Sequence, residues 1–140
     1  MKIAIINGPN LNLIGTREPG IYGSETFEHF FQKLRKKYEN IDFDYFQSNI
    51  EGELINEIQQ SAKNMDGIIL NAGGYTHTSV AIGDAIAAIN VPVVEVHISN
   101  VEAREEFRKL SHISSKCVGT ISGFGLKSYL LAVESFINHI

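Results

Sequence analysis

The sequence predicts an α/β domain built on a five-stranded parallel sheet with helices on both faces. Short apolar runs alternate five times with helix-like stretches along 140 residues, and parallel neighbours need a crossover that a helix supplies. The runs "KIAII", "DGIIL" and "VPVVEV" read as buried strands. The length suits one domain, residues 1–140, with no linker, internal repeat or low-complexity segment. Five strands in a chain of this size point to the flavodoxin-like doubly wound order.

The elements follow in order. Residues 2–6 are short, apolar and β-branched, a first strand. "SETFEHFFQKLRKKY" (24–38) carries Phe27, Phe30, Phe31 and Leu34 on one helical stripe, with Ser24 as its N-cap. "IDFDYFQ" (41–47) alternates apolar and polar residues, as a half-buried strand does. "IEGELINEIQQSAK" (50–63) places Leu54, Ile55, Ile58 and Ala62 on one helix face. "DGIILNAGG" (66–74) is a strand ending at Asn71 in a glycine-rich turn. A small-residue helix over 79–90 follows, for which Thr76, Thr78 or Ser79 can serve as cap. The remaining expectations are a strand over 91–97, a short charged helix over 101–110, a strand over 116–123 and a C-terminal helix over 126–140.

Composition narrows the partners. A formal net charge of −4 and a pI near 5.7 give no basic footprint for nucleic acid or an anionic membrane. A small anionic ligand needs only a local pocket and stays open. The single cysteine, Cys117, lies in an apolar run and reads as core packing. "MKIAIINGP" is too short an apolar stretch for a signal, and no run reaches membrane-spanning length, so the cytoplasm is the expected location. HExxH, CxxC, Walker and GxGxxG patterns are missing, which leaves a metal or nucleotide site without support. Receiver domains of this fold need acidic residues where Asn7 and Asn71 stand.

In doubly wound sheets ligands bind outside the carboxyl ends of the strands. Those ends supply three loops here: residues 7–22, "NAGGYTHTS" (71–79) and "EVHISN" (95–100). The first is long for a compact domain and holds Arg17 and Tyr22 beside Gly20 and Gly23. Such loops are usually functional or disordered. His97 ends a strand and reads either as a satisfied rim residue or as an acid or base. Glu95, two residues upstream, points to the same side. The N–H groups of Ile98 and Ser99, with Asn100 as a helix cap, suit an anion. His77 follows a glycine pair that lets backbone approach a ligand, and is either a turn residue or a hydrogen-bonding one. Asp84 sits among small apolar residues, so the expectation is a buried carboxylate needing a partner in this chain, a neighbouring subunit or a ligand. Arg104 and Arg108, four apart, share a helix face, and Arg104 reads as part of a solvated salt-bridged face. From the residues alone, the reading is a small-anion site at a sheet rim with acid–base chemistry.

"NGPNLNLIGTREPGIYG", "NAGGYTHTSVAIGDAI", "VPVVEVHISNVEAREEFRKLS" and "GFGLKSYLLA" resemble, in order and over nearly the whole chain, the type II 3-dehydroquinate dehydratases. The resemblance implies a flavodoxin-like fold with no metal or organic cofactor. It also implies a homo-oligomer, a dodecamer built as four trimers. The implied reaction is trans elimination of water from 3-dehydroquinate to give 3-dehydroshikimate. Tyr22 matches the base and Arg17 the cation that favours tyrosinate, since a phenol titrates near 10 unaided. Asn10 matches the residue holding a water against the enolate oxygen. His97 matches the general acid, and Glu95 a carboxylate that orients these groups. Asn71 with the backbone of Ile98 and Ser99 matches a carboxylate cradle, and His77 and Arg108 match residues that hold ring hydroxyls. Asp84 matches a residue reaching across a trimer interface. The Arg17–Tyr22 segment is then expected to act as a lid.

Two positions depart from the family pattern. Gly83 stands where many members carry a larger residue, often arginine, and the glycine is expected either to loosen the trimer contact or to alter how Asp84 is held. Ala72 replaces a proline, which is expected to soften its turn. Two rivals share the fold: a non-catalytic small-anion binding module and a flavin-binding electron carrier.

Overall fold

The computed structural model describes residues 1–16 and 24–137. Its five strands are β1 (Lys2–Asn7), β2 (Asp42–Gln47), β3 (Gly67–Asn71), β4 (Val93–His97) and β5 (Gly119–Ser122). All pairings are parallel, in the order β2-β1-β3-β4-β5. This is the doubly wound order expected from the alternation of strand and helix. Among the described residues, four α-helices connect and flank the sheet: α1 (Phe27–Lys37), α2 (Glu51–Ser61), α3 (Val80–Ala87) and α4 (Lys127–Ile137).

Strand alternation sorts the core into two layers. Ile3 and Ile5 of β1, Ile69 of β3, and Val94 and Val96 of β4 face Phe27, Phe30 and Leu34 of α1 and Tyr129, Val133 and Phe136 of α4. Ala4, Ile6, Ile68, Leu70 and Val93 face Leu54 and Ile58 of α2 and Ile82 and Ile86 of α3. Each fully buried aliphatic or aromatic side chain contributes about 1.5–3 kcal/mol. The first layer is aromatic, with Phe27 against Tyr129 at 5.1 Å and against Tyr45 at 4.7 Å between ring centres. Cys117 packs against the second layer, and burial pushes its thiol up to about 12.

Three expectations need correction. Helix α1 starts at Phe27, not at Ser24, because Thr26 is the cap and accepts from the His29 N–H at 3.2 Å. Residues 101–110 form two 3₁₀ turns, Val101–Ala103 and Glu106–Lys109, rather than one helix. The Asn100 side chain caps the first turn through the Glu102 N–H, and Arg104 is extended between them (φ −106°, ψ −163°). The last strand is shorter than expected, since Ser114–Lys116 is also a 3₁₀ turn. Ser79 is the residue that caps α3, accepting from the Ile82 N–H at 2.9 Å.

Candidate active site

The carboxyl ends of β1, β3 and β4 converge because two backbones touch there. The Gly8 N–H donates to the Asn71 carbonyl at 2.7 Å. A Cβ on Gly8 would lie 2.5 Å from the Ala72 oxygen, so only glycine allows this approach. Asn10 follows in the left-handed region at φ 69°, the only described non-glycine residue there, a conformation asparagine tolerates. Its N–H donates to Asn49 Oδ1 at 3.0 Å.

These loops enclose a cavity of about 110 Å³. Asn10, Asn71, His77, His97, Ile98, Ser99, Arg104 and Arg108 all line it. The structure thus brings together seven of the residues singled out from the sequence. It adds Arg104, whose expected role is corrected in part: it pairs with Glu105 at 4.0 Å as a salt-bridged residue would, but the side chain is only 16% exposed and its guanidinium donates to Ser99 Oγ at 3.3 Å. A larger open depression of about 680 Å³ lies at the amino ends of the strands, bordered by Lys2, Arg35, Asp42 and Asp44. It has charges of both signs and no convergent network, so the smaller cavity is the better candidate.

Glu95 is fully buried and His97 nearly so. Glu95 Oε1 accepts from His97 Nε2 at 2.6 Å and from Ser111 Oγ at 3.1 Å. Its Oε2 accepts from Thr120 Oγ1 at 3.0 Å and from Ser114 Oγ. Burial alone would raise the Glu95 pKa. The hydrogen bonds from His97, Ser114 and Thr120 and the attraction of His97 outweigh it, and the carboxyl titrates below the ordinary 4.5. With Nε2 engaged, Nδ1 is the His97 nitrogen left for a ligand.

His77 lies beside this pair, its ring centre 6.3 Å from that of His97. Its Nδ1–H donates to the Leu110 carbonyl at 2.7 Å, which fixes the tautomer and leaves Nε2 as an acceptor. Burial lowers its pKa, and the neighbouring His97 and Arg108 lower it further, so the ring is neutral at pH 7. Arg108 stacks over Phe107 at 4.8 Å and pairs with Glu105 at 3.0 Å.

On the other face of the sheet, Asn7 and Asn71 are register partners. Tyr129 Oη donates to Asn7 Oδ1 at 2.8 Å and accepts from Asn71 Nδ2 at 3.0 Å. Asn71 Oδ1 accepts from the Gly73 N–H at 3.1 Å. One amide proton of Asn71 remains for a ligand. The Ile98 and Ser99 N–H groups donate to no acceptor among the described residues. Two free N–H groups, an amide proton and two arginines suit a carboxylate.

Three sequence candidates fall elsewhere. Arg17 and Tyr22, with the expected lid, lie outside the described residues. Asp84 is exposed on α3, which corrects the expectation of a buried carboxylate: helical period turns it away from the core that Ile82 and Ile86 enter. Gly83 beside it has a reason within the chain, since a Cβ there would lie 2.5 Å from the His112 carbonyl. Ser111, Ser114, Thr120 and Tyr129 were missed, because isolated hydroxyls carry no motif. Among the described residues no three His, Cys, Asp or Glu side chains are placed to hold a metal ion, and no helix is long and apolar enough to cross a membrane.

A family model described as dehydroquinase class II matches residues 1–137. The chain belongs to the class II dehydroquinases. A curated 3-dehydroquinate dehydratase from Fusobacterium nucleatum is 53% identical over 144 residues, covering 99% of this chain and 98% of that one. One from Campylobacter jejuni is 55% identical over 139 residues, covering 98% and 87%. The crystal structure of a type II dehydroquinase from Butyrivibrio crossotus superposes with a TM-score of 0.95 at 46% identity, covering 99% and 98%. The class II dehydroquinase fold is thus carried by nearly the full length of the chain.

Proposed function

We propose that this protein dehydrates 3-dehydroquinate to 3-dehydroshikimate by trans elimination of water through an enolate. The observation that carries the reading is the Glu95–His97 pair beside a cavity whose other polar groups suit a carboxylate. Family membership supplies the substrate.

In this account Tyr22, as tyrosinate favoured by Arg17, removes a proton α to the ketone. Electron density moves onto the carbonyl oxygen, where a water held by Asn10 stabilises the enolate. The enolate then collapses, the bond to the β-hydroxyl breaks, and His97 protonates the departing oxygen to give water. Glu95 holds the imidazole and stabilises its charged form. The Ile98 and Ser99 N–H groups and Asn71 bind the substrate carboxylate, while neutral His77 and Arg108 bind ring hydroxyls. Asp84, exposed on α3, contributes from a neighbouring subunit of a trimer, four of which form a dodecamer. No organic cofactor or metal enters these steps.

Purified protein added to 3-dehydroquinate should generate the ultraviolet absorbance of the conjugated enone. Tyr22→Phe and His97→Ala should each slow it by about 10²–10⁴-fold. Folded, assembled wild-type protein that produces no enone would overturn the proposal.

A further inference from the structure

We propose that Ser111, Ser114 and Thr120 are positioning residues that clamp Glu95 as an ionised carboxylate and so keep the proton of the pair on His97. This rests on reading His97 as the general acid. None of the three hydroxyls lines the cavity, so each acts through Glu95.

Hydrogen-bond valence places the proton. A carboxylate has about four lone-pair sites. Four donors approach Glu95: His97 Nε2 and Ser111 Oγ at Oε1, Thr120 Oγ1 and Ser114 Oγ at Oε2. A proton placed on Glu95 would have to displace or reverse one of them. Ser111 cannot readily reverse. Its oxygen already accepts from the Ile113 N–H at 3.1 Å and the Ser114 N–H at 3.0 Å, which directs its own proton to Glu95. With the carboxylate saturated, the proton between Glu95 and His97 belongs to the imidazole.

The clamp is built from separate elements, which keeps it rigid. Thr120 comes from β5 in register with Glu95. Ser111 and Ser114 come from the segment leading into β5. That segment is fixed by the His112 N–H donating to the Thr76 carbonyl at 2.9 Å and by Leu110 accepting from His77. The close approach of Gly83 to the His112 carbonyl seats the same segment on α3. One short stretch therefore places both the neutral His77 and two donors to Glu95. The other titratable or charged groups near the pair are Arg104 and Arg108 along the cavity and Cys117, whose thiol stays protonated.

Thr120→Val is the decisive variant. Thr120 is exposed on an edge strand, so valine, a good strand former, should leave the fold intact. Removing one donor leaves the ionised Glu95 less stabilised, so the pair takes up its proton at higher pH. Histidine ring resonances, assigned with His97→Gln, should show the His97 midpoint moving up by about half a unit to one unit. Thr120→Ser should restore the wild-type midpoint. An unmoved or lowered midpoint in Thr120→Val, or an equal shift in both variants, would overturn the clamp. The titration needs no substrate. A shifted midpoint with no turnover of 3-dehydroquinate would therefore sink the proposed reaction and leave the clamp, while turnover with an unmoved midpoint would do the reverse.

Discussion

On the α1/α4 face of the sheet the carboxyl rim carries Asn7, Asn71 and Tyr129; on the α2/α3 face it carries Glu95, His97 and three hydroxyls. Both networks are centred on buried side chains and both end at the same cavity, yet one is neutral and the other charged. In the first, every partner is an amide or a phenol. Burial pushes the Tyr129 hydroxyl far above its ordinary value, so it stays neutral across the working pH range. Such a network can fix a shape but cannot move a proton. In the second, a carboxylate saturated with donors faces an imidazole, a side chain that can both give and take a proton. The alternation of side chains along strands separates the two: odd positions of β1 and β3 feed the first network, and odd positions of β4 feed the second. A sheet one residue thick in this way holds its geometry on one side and its proton chemistry on the other.

The largest way to break this contrast is Glu95→Gln. It keeps the shape but replaces a saturated acceptor with an amide that brings donors of its own. Activity should fall strongly, and stability should fall by about 1–3 kcal/mol in urea titrations near neutrality. The pH dependence of stability follows from the lowered carboxyl pKa. A carboxylate depressed in the folded state stabilises above its unfolded value, and that contribution is lost as pH falls through the folded one. Wild-type protein should therefore lose stability on acidification below about 4.5, and Glu95→Gln should lose less over that range. Equal acid slopes would show that Glu95 is not held ionised.

Tyr129→Phe probes the neutral face. It removes one donor to Asn7 and one acceptor from Asn71, both buried, and should cost about 1–3 kcal/mol of stability. The Michaelis constant should rise, since Asn71 loses its anchor, while the shape of the pH–rate profile stays put. A shifted profile would mean that the phenol takes part in proton transfer.

Ala72→Pro is the gentlest test. Ala72 already has φ −75°, near the value proline imposes, and its N–H donates to nothing among the described residues. The substitution should stabilise by about 0.4–1 kcal/mol by restricting the unfolded chain. A loss of stability in thermal melts would show that the turn between Asn71 and Gly73 is not ready for proline.

Sequence patterning carried most of the fold. The apolar runs located all five strands, and the stripes of Phe27 to Leu34 and Leu54 to Ile58 located their helices. Residues 101–110 were misread because helix formers and an i, i+4 arginine pair look helical in isolation. In the fold, Arg104 turns extended and ends the first turn early, and Arg104 and Arg108 line the cavity instead. The pairing of Glu95 with His97 was legible from their two-residue spacing in a strand. The hydroxyls around Glu95 were not, since Ser111 and Ser114 lie sixteen and nineteen residues away and their meaning comes only from the folded path. Asp84 is a related case: a small apolar helix suggests burial, but within this chain only one of its sides faces the core, and the carboxylate lies on the other.

The measurement that tests the division of labour most directly is the pH–rate profile of enone formation for wild type, Tyr129→Phe and Glu95→Gln, side by side. The account predicts that Tyr129→Phe superposes on wild type after scaling, whereas Glu95→Gln changes the position of its limbs. Profiles that shift alike in the two variants, or that move for Tyr129→Phe alone, would contradict it.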